Sequence, residues 1–179
     1  MAVKARRTRK RRPPLDPAGL EQLALNYVGR YATTRAKLAS HLSRKLTERG
    51  WSGAAEAPVE AVVARLASLG YVDDRAFARA RAASLSRRGY GERRIREALR
   101  AAGVGQEDAE AGESAGRGAL EAALRLAERR RIGPFAAVEP DRAARQRAFA
   151  VLLRAGHRPD LARRVVDCRP GEFPDADDG

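Results

Sequence analysis

The sequence predicts an all-α protein made of tandem three-helix repeats, helix-turn-helix-like in connectivity, which together would form an elongated, curved body. Three observations lead to this prediction. Alanine, the residue with the highest helix propensity, occurs 37 times, whereas isoleucine occurs twice. Apolar residues recur at i, i+3 and i+4 spacing, as on one face of a helix. Glycines separate these apolar stripes, and β-branched residues are too sparse for a large sheet.

The predicted helices end at glycine and start at capping residues. Five glycines are followed by a bulky residue, the pattern of a helix closed by a left-handed glycine: Gly50-Trp51, Gly70-Tyr71, Gly89-Tyr90, Gly103-Val104 and Gly156-His157. The starts carry an N-cap residue or proline: Asp16-Pro17, Thr34, Pro58, Asp73, Gly91, Pro140-Asp141 and Pro159-Asp160. These signals predict about eight short helices joined by tight turns.

Each predicted helix carries an apolar stripe that would face a core. In chain order the stripes lie within residues 20–31, 38–46, 59–69, 77–85, 95–102, 120–127, 144–155 and 161–166. Several stripes consist largely of alanine, which allows close approach but buries little area. Each helix therefore needs several neighbours to be stable.

An internal repeat sets the predicted domain organisation. Segments starting at Tyr31, Tyr90 and His157 align in their following apolar residues, which indicates tandem copies of one helical unit. The predicted boundaries are a disordered basic tail over 1–15, a partial first repeat over 16–52, a second repeat over 53–104, an acidic, glycine-rich linker or weak helix over 105–118, a third repeat over 119–168, and a disordered acidic tail over 169–179.

The chain is strongly basic, with a formal charge of +13. Such a charge suggests a polyanionic partner. Part of it lies in residues 1–12, and 32 of the 36 basic residues are arginine, which with the alanine content suggests codon bias toward G and C. The more informative excess lies in residues 71–104, which hold nine arginines and four acids.

Several classes of protein are not expected. A single cysteine, Cys168, cannot form an internal disulfide. No apolar run approaches the ~18 residues of a membrane span, and no signal peptide follows the basic N-terminus. His41, His157 and Cys168 have no ligand-spaced partners, and no phosphate loop or nucleophile motif occurs. We therefore expect a soluble, cytoplasmic, non-enzymatic protein that requires no metal and no cofactor.

One block resembles a known family. The run Tyr71 to Arg79, Tyr-Val-Asp-Asp-Arg-Ala-Phe-Ala-Arg, resembles the Tyr-Leu-Asp-Asp-x-x-Phe-Ala signature of the RecX family of bacterial recombinase regulators. Residues 87–99 continue the signature in register, and residues 35–50 and 153–157 resemble the first and last repeats. The residues that carry the signature, in structural roles, are Tyr71, Asp73, Asp74, Phe77, Gly89, Tyr90, Ile95 and Leu99.

The resemblance implies three tandem three-helix repeats and binding in the helical groove of the RecA–single-stranded DNA filament. It implies restraint of filament growth, ATP hydrolysis and strand exchange, and so modulation of recombination, DNA repair and the SOS response. Weak direct binding to single- or double-stranded DNA is also implied, and we expect a bacterial, cytoplasmic monomer. The chain departs from the family pattern at His157, where an aromatic residue is usual, in segment 105–118, and in the acidic tail Asp175–Gly179.

The candidate binding residues are arginines on both sides of the predicted turn at Gly89. They could form one cationic surface for phosphates or for an acidic surface of RecA, and the competing interpretation is a solvated face. The set is Arg87, Arg88, Arg93, Arg94, Arg96 and Arg100. A second set, Arg129, Arg130 and Arg131, suits a helix C-terminus or a binding role.

Other features have simpler interpretations beside the functional one. Asp73 and Asp74 could bind a metal or act as acid and base, but an N-cap role is favoured because no third ligand lies nearby. Tyr90 could stack on a base, but packing after a C-terminal glycine is favoured. The alternative function is a stand-alone, sequence-nonspecific nucleic-acid-binding helical protein, which the helix–turn–helix pattern over 74–102 supports.

Overall fold

The computed structural model describes residues 12–114 and 118–174, and gives only the backbone at 111–114. These ranges contain nine α-helices and a short 3-10 turn at Gly133–Phe135, with no β-strand, so the all-α prediction is confirmed. The helices are α1 (Pro17–Val28), α2 (Arg35–Arg49), α3 (Val59–Ser68), α4 (Asp74–Arg87), α5 (Glu92–Ala101), α6 (Gln106–Ser114), α7 (Ala119–Arg130), α8 (Arg142–Arg154) and α9 (Pro159–Asp167). The chain divides into two compact units, Met1–Asp73 and Asp74–Gly179.

Side-chain caps fix several helix starts where the sequence predicts them. The Asp16 carboxylate accepts a hydrogen bond from the Gly19 N–H at 2.7 Å and opens α1. The Thr34 hydroxyl accepts from the Lys37 N–H at 3.2 Å and opens α2. Each cap satisfies a backbone donor that the first helical turn leaves without a partner.

The first unit is built on large aliphatic side chains from α1, α2 and α3. Leu20, Leu38 and Leu42 are fully buried, and Val62, Val63 and Leu66 of α3 complete the same cluster. The predicted boundary between residues 52 and 53 is therefore wrong, because α3 packs with α1 and α2.

The predicted disordered N-terminal tail over 1–15 also needs correction. Leu15 is 1 % exposed, and its N–H donates to the Gly50 carbonyl at 2.9 Å. The Ser52 N–H donates back to the Leu15 carbonyl at 2.9 Å, which forms a single parallel bridge between Leu15 and Trp51. The chain is thus anchored from Leu15 onward, and residues 1–11 lie outside the described part.

The second unit contains two aliphatic clusters. The cluster of α4, α5 and α6 buries Ala78, Ala82, Leu85, Ile95 and Leu99. Segment 106–114 forms helix α6, so of the two predicted alternatives for this region the structure shows a helix, and Ala109 packs against that cluster. The second cluster joins α7, α8 and α9 around the fully buried Leu152 and Val165.

The chain after α9 is held against the 3-10 turn. The Gly171 N–H donates to the Pro134 carbonyl at 2.8 Å, and the rings of Phe135 and Phe173 meet edge-to-face at 5.3 Å. The disordered tail predicted over 169–179 is therefore wrong for residues 169–174, and residues 175–179 lie outside the described range. In the part of the chain that is described, no helix is long and apolar enough to cross a membrane.

Candidate partner-binding surface

Helix α5 presents arginines on the face opposite its core contacts. Ile95 and Leu99 are buried in the α4–α6 cluster. At 3.6 residues per turn, Arg93, Arg96 and Arg100 share the other side of the helix, and all three are exposed. The packing of α5 therefore turns these three predicted arginines toward solvent together.

The other predicted arginines are engaged differently. The Arg88 guanidinium lies over the Tyr90 ring, 5.5 Å from its centroid, and Arg87 is exposed at the end of α4. Arg94 forms an exposed ion pair with Glu97 at 3.4 Å. The six predicted arginines therefore do not form one uniform set. Three share a face of α5, whereas Arg88 packs on Tyr90 and Arg94 pairs with Glu97.

Two grooves flank the exposed face of α5. The α5–α6 groove, about 460 Å³, is lined by Arg96, Arg100, Val104, Gln106, Ala109 and Glu110. The α5–α9 groove, about 400 Å³, is lined by Glu92, Arg93, Arg96, Leu153, Gly156, His157, Arg158 and Pro159. Arg96 lines both grooves, so its side chain lies at the centre of this surface.

The turn between α4 and α5 packs backbone-to-backbone on the turn between α8 and α9; we call residues 88–93 with 153–157 the turn junction. The Gly91 N–H donates to the Ala155 carbonyl at 2.9 Å, and the Arg93 N–H donates to the Gly156 carbonyl at 3.2 Å. A Cβ at Gly91 would lie 2.4 Å from the carbonyl carbon and oxygen of Gly156. The absence of a side chain at Gly91 is what permits this approach, which fixes the start of α5.

Two side chains from opposite sides also hold the turn junction. The Arg93 guanidinium donates to the Leu153 carbonyl at 2.8 Å near the C-terminus of α8, where a cation is also favourable to the helix dipole. From the neighbouring helix α7, the Arg129 guanidinium donates to the Arg88 carbonyl.

His157 is buried in the turn junction, with 5 % of its surface exposed. Its Nε2 lies 3.1 Å from the Gly89 carbonyl oxygen, which can only accept, so Nε2 carries the proton. Nδ1 has no hydrogen-bond partner among the described residues. Burial lowers the pKa of His157, against the raising effects of its bond to Gly89 and of Glu92. His157 is thus a neutral imidazole at neutral pH, held in the turn junction by its bond to Gly89.

The signature residues divide between core and surface. Ile95, Leu99 and Gly89 are buried, whereas Phe77 and Tyr90 are half-buried against the α4–α6 cluster. Tyr90 packs partly against this cluster, with the Arg88 guanidinium over its ring.

Three signature residues lie close to the point in the sequence, after Asp73, at which the first unit ends and the second begins. Tyr71, in the first unit, is 58 % exposed. Asp73 precedes α4, and Asp74, its first residue, is buried. Within the described ranges, no group of three or more His, Cys, Asp or Glu side chains could hold a metal ion.

Arg158 also belongs to this surface, although it is not among the arginines that the sequence predicts there. It lines the α5–α9 groove and pairs with Asp160 at 3.1 Å. It reaches α5 only through the turn junction, and no local spacing in the sequence signals that contact.

Comparisons with known proteins place this architecture. The family model of the second three-helix domain of RecX matches residues 73–112, which are α4, α5 and α6. Regulatory protein RecX of Myxococcus xanthus is 35 % identical over 176 residues, which cover 93 % of this chain and 94 % of that protein. Regulatory protein RecX of Thermus thermophilus is 34 % identical over 84 % of this chain and 81 % of its own length.

Solved structures support the same fold. The crystal structure of RecX from Lactobacillus salivarius matches with a TM-score of 0.62 at 18 % identity, covering 83 % of this chain and 93 % of that one. A second crystal structure, of a regulatory protein RecX, gives 0.57 at 21 % identity over 84 % of this chain and 73 % of its own. Identity at this level shows the fold alone, whereas the sequence relatives span nearly the whole chain. On that ground the chain belongs to the RecX family of regulatory proteins.

Proposed function

We propose that this protein binds the RecA–single-stranded DNA filament and restrains its growth, ATP hydrolysis and strand exchange. Through this restraint it modulates recombination, DNA repair and the SOS response. It acts as a monomer in the bacterial cytoplasm, with no catalytic activity of its own. The mechanism is differential binding, because a ligand that favours one filament state shifts the filament toward that state.

The observation that carries the proposal is the exposed face of α5. Three arginines project from one short helix whose position is fixed by buried Ile95 and Leu99 and by the turn junction. A rigid support of this kind reduces the entropy lost when the cations meet phosphates or carboxylates on a partner. Arg96 and Arg100 are assigned the contacts because both are exposed and both line the α5–α6 groove.

Charge reversal on α5 tests the proposal. We expect the double variant Arg96→Glu and Arg100→Glu to raise the concentration needed for half-maximal inhibition of DNA-dependent ATP hydrolysis by RecA about tenfold or more. The matched control is Arg79→Glu with Arg142→Glu, which changes the net charge equally at exposed positions on α4 and α8. Equal inhibition by the folded double variant and by wild type would refute the assignment of α5.

The alternative, a stand-alone nucleic-acid-binding protein, differs from the proposal in the partner that it binds and in the salt dependence of that binding. Wild-type protein is titrated into RecA filaments and into bare single-stranded DNA at matched salt. The proposal predicts preference for the filament at physiological salt. Equal binding to both, with a steep salt slope, would favour the alternative instead.

A further inference from the structure

Helix α7 ends at an unusual residue. Arg131 has φ 53°, and it is the one non-glycine residue with positive φ in the described ranges. The Ile132 N–H donates to the Ala127 carbonyl at 2.9 Å, and the Arg131 N–H donates to the Glu128 carbonyl at 3.1 Å. The same pair of bonds closes four other helices, and in each the residue at the position of Arg131 is glycine with positive φ: Gly70, Gly89, Gly103 and Gly156.

Arginine at position 131 is less favourable for the fold than glycine would be. A side chain in the left-handed region is strained, and glycine would close α7 with the same hydrogen bonds and without that strain. Backbone strain of this kind is often associated with a functional position. The charge of Arg131 also suits a helix C-terminus, but Arg129 and Arg130 already supply that charge in the last turn of α7.

The side chain of Arg131 lines a groove together with three other arginines, which helix capping alone does not explain. The groove, about 260 Å³, runs between the end of α7 and α8, and Arg130, Arg131, Arg145 and Arg147 line it. Its other lining residues are apolar, including the buried Ile132, and no acidic residue lines it among those described. Arg145 pairs with Glu139 at 3.1 Å, which leaves the rest of the rim strongly cationic.

We propose that this arginine-rimmed groove binds an acidic segment of a protein partner that also carries aliphatic side chains. Guanidinium groups pair with carboxylates in bidentate geometry, and the aliphatic floor would bury the apolar side chains of the same segment. Single-stranded nucleic acid is the less suitable ligand, because its sites stack bases on aromatic rings and no described aromatic residue lines this groove. The site is separate from α5 and does not depend on filament binding.

The experiment uses the full chain and a fluorescein-labelled peptide in which Glu and Leu alternate, followed by fluorescence anisotropy. The key variant is Arg131→Gly. We expect it to raise the thermal midpoint by about 2–4 °C, as glycine relieves the strain, and to weaken peptide binding about threefold. A change that stabilises the fold while weakening binding is not expected if Arg131 has only a structural role.

Two further variants separate charge from backbone effects. Arg131→Asn keeps a residue that tolerates the left-handed region, and we expect it to weaken binding as Arg131→Gly does. Adding Arg147→Gln to Arg131→Asn should weaken binding at least about tenfold in total, whereas Arg142→Gln, an exposed position on α8 outside the groove, should leave it unchanged.

Three outcomes would overturn the proposal. The first is unchanged peptide affinity in the Arg131 variants. The second is tighter binding of an oligothymidylate of similar net charge, lost in those same variants, which would make the groove a nucleic-acid site. The third is a gain in peptide affinity when residues 175–179 are deleted, since the acidic end of this chain would then be the occupant.

Discussion

The core of the first unit and the turn junction of the second are stabilised by opposite means. In the first unit, Leu20, Leu38 and Leu42 are fully buried, and their bulk fills the space between helices. At the turn junction the backbone of Gly91 lies against that of Gly156, and hydrogen bonds replace side-chain packing. Aliphatic cores accept many exchanges of similar volume, whereas a backbone contact depends on the absence of a single Cβ. One all-α chain thus has a tolerant region and an intolerant one.

The largest expected effect comes from adding that Cβ. Gly91→Ala places a methyl group 2.4 Å from the Gly156 carbonyl group, so one of the two turns must move. We expect the free energy of unfolding to fall by about 2–3 kcal/mol, measured by urea denaturation. Gly91 does not have positive φ, so the change tests close approach and not backbone strain.

The matched control for this prediction is Gly105→Ala. No atom lies within 4 Å of a Cβ at Gly105, and its φ is not positive either. We expect a loss of at most about 1 kcal/mol, because alanine is a weaker N-cap than glycine at the start of α6. If the Gly91→Ala and Gly105→Ala variants were equally stable, the turn junction would be as tolerant of substitution as an aliphatic core. The proposed difference between the two regions would then be refuted.

The sequence predicts the packing of aliphatic side chains in the first unit far better than the backbone contact at the turn junction. The stripes at Leu38 and Leu42 are periodic within one helix, so local spacing reveals the buried face. The sequence also indicates that Gly89 and Gly156 end helices and that Gly91 starts one. That Gly91 and Gly156 touch is not predictable, because the contact joins distant parts of the chain and involves no side chain whose chemistry could signal it.

The same limit explains the other corrections. Gly50-Trp51 marks a true helix end, but the bridge from Trp51 to Leu15 is a tertiary contact, and it corrects the tail predicted over 1–15. The packing of α3 on α1 and α2 is also tertiary, and it corrects the boundary predicted after residue 52. For the candidate surface, the sequence identifies arginines on both sides of the turn at Gly89 and leaves their contacts open. Only packing reveals that Arg93 holds the turn junction while Arg96 and Arg100 remain on the exposed face.

A smaller effect is expected from the protonation of His157. Burial places its folded pKa below the unfolded value of about 6.5. The neutral imidazole therefore contributes its full stability above that value, and the contribution declines as the pH falls through the folded pKa. We expect the urea midpoint of wild type to be lower at pH 5.5 than at pH 7.5. In His157→Phe this difference should be smaller, because the unfolded state can no longer take up a proton at residue 157.

His41 provides the control, because its pKa is also lowered, mainly by burial and then by Arg44 and Lys45. His41→Asn removes that titration and leaves the His157 contribution in place. Glu92 partly opposes the shift at His157, so Glu92→Gln should steepen the pH dependence of wild type. A pH dependence that is the same with and without His157 would show that the turn junction tolerates an imidazolium.

The smallest expected effect separates two neighbouring arginines on α5. Arg93 donates to the Leu153 carbonyl at 2.8 Å across the turn junction, whereas Arg94 pairs with Glu97 on its own helix, and the Arg94 and Glu97 side chains are about half exposed. A hydrogen bond from a cation to a helix C-terminus contributes about 1 kcal/mol, and an exposed i,i+3 pair contributes at most about 0.5 kcal/mol.

Arg93→Ala should therefore lower the free energy of unfolding by about 1 kcal/mol, and Arg94→Ala by less than half of that. Urea denaturation at low and high salt measures both, and salt should reduce the Arg94 effect more than the Arg93 effect, since the Arg93 hydrogen bond is to a neutral carbonyl. Equal losses at the two positions would mean that the Arg93 guanidinium adds nothing to the turn junction beyond what an exposed ion pair contributes.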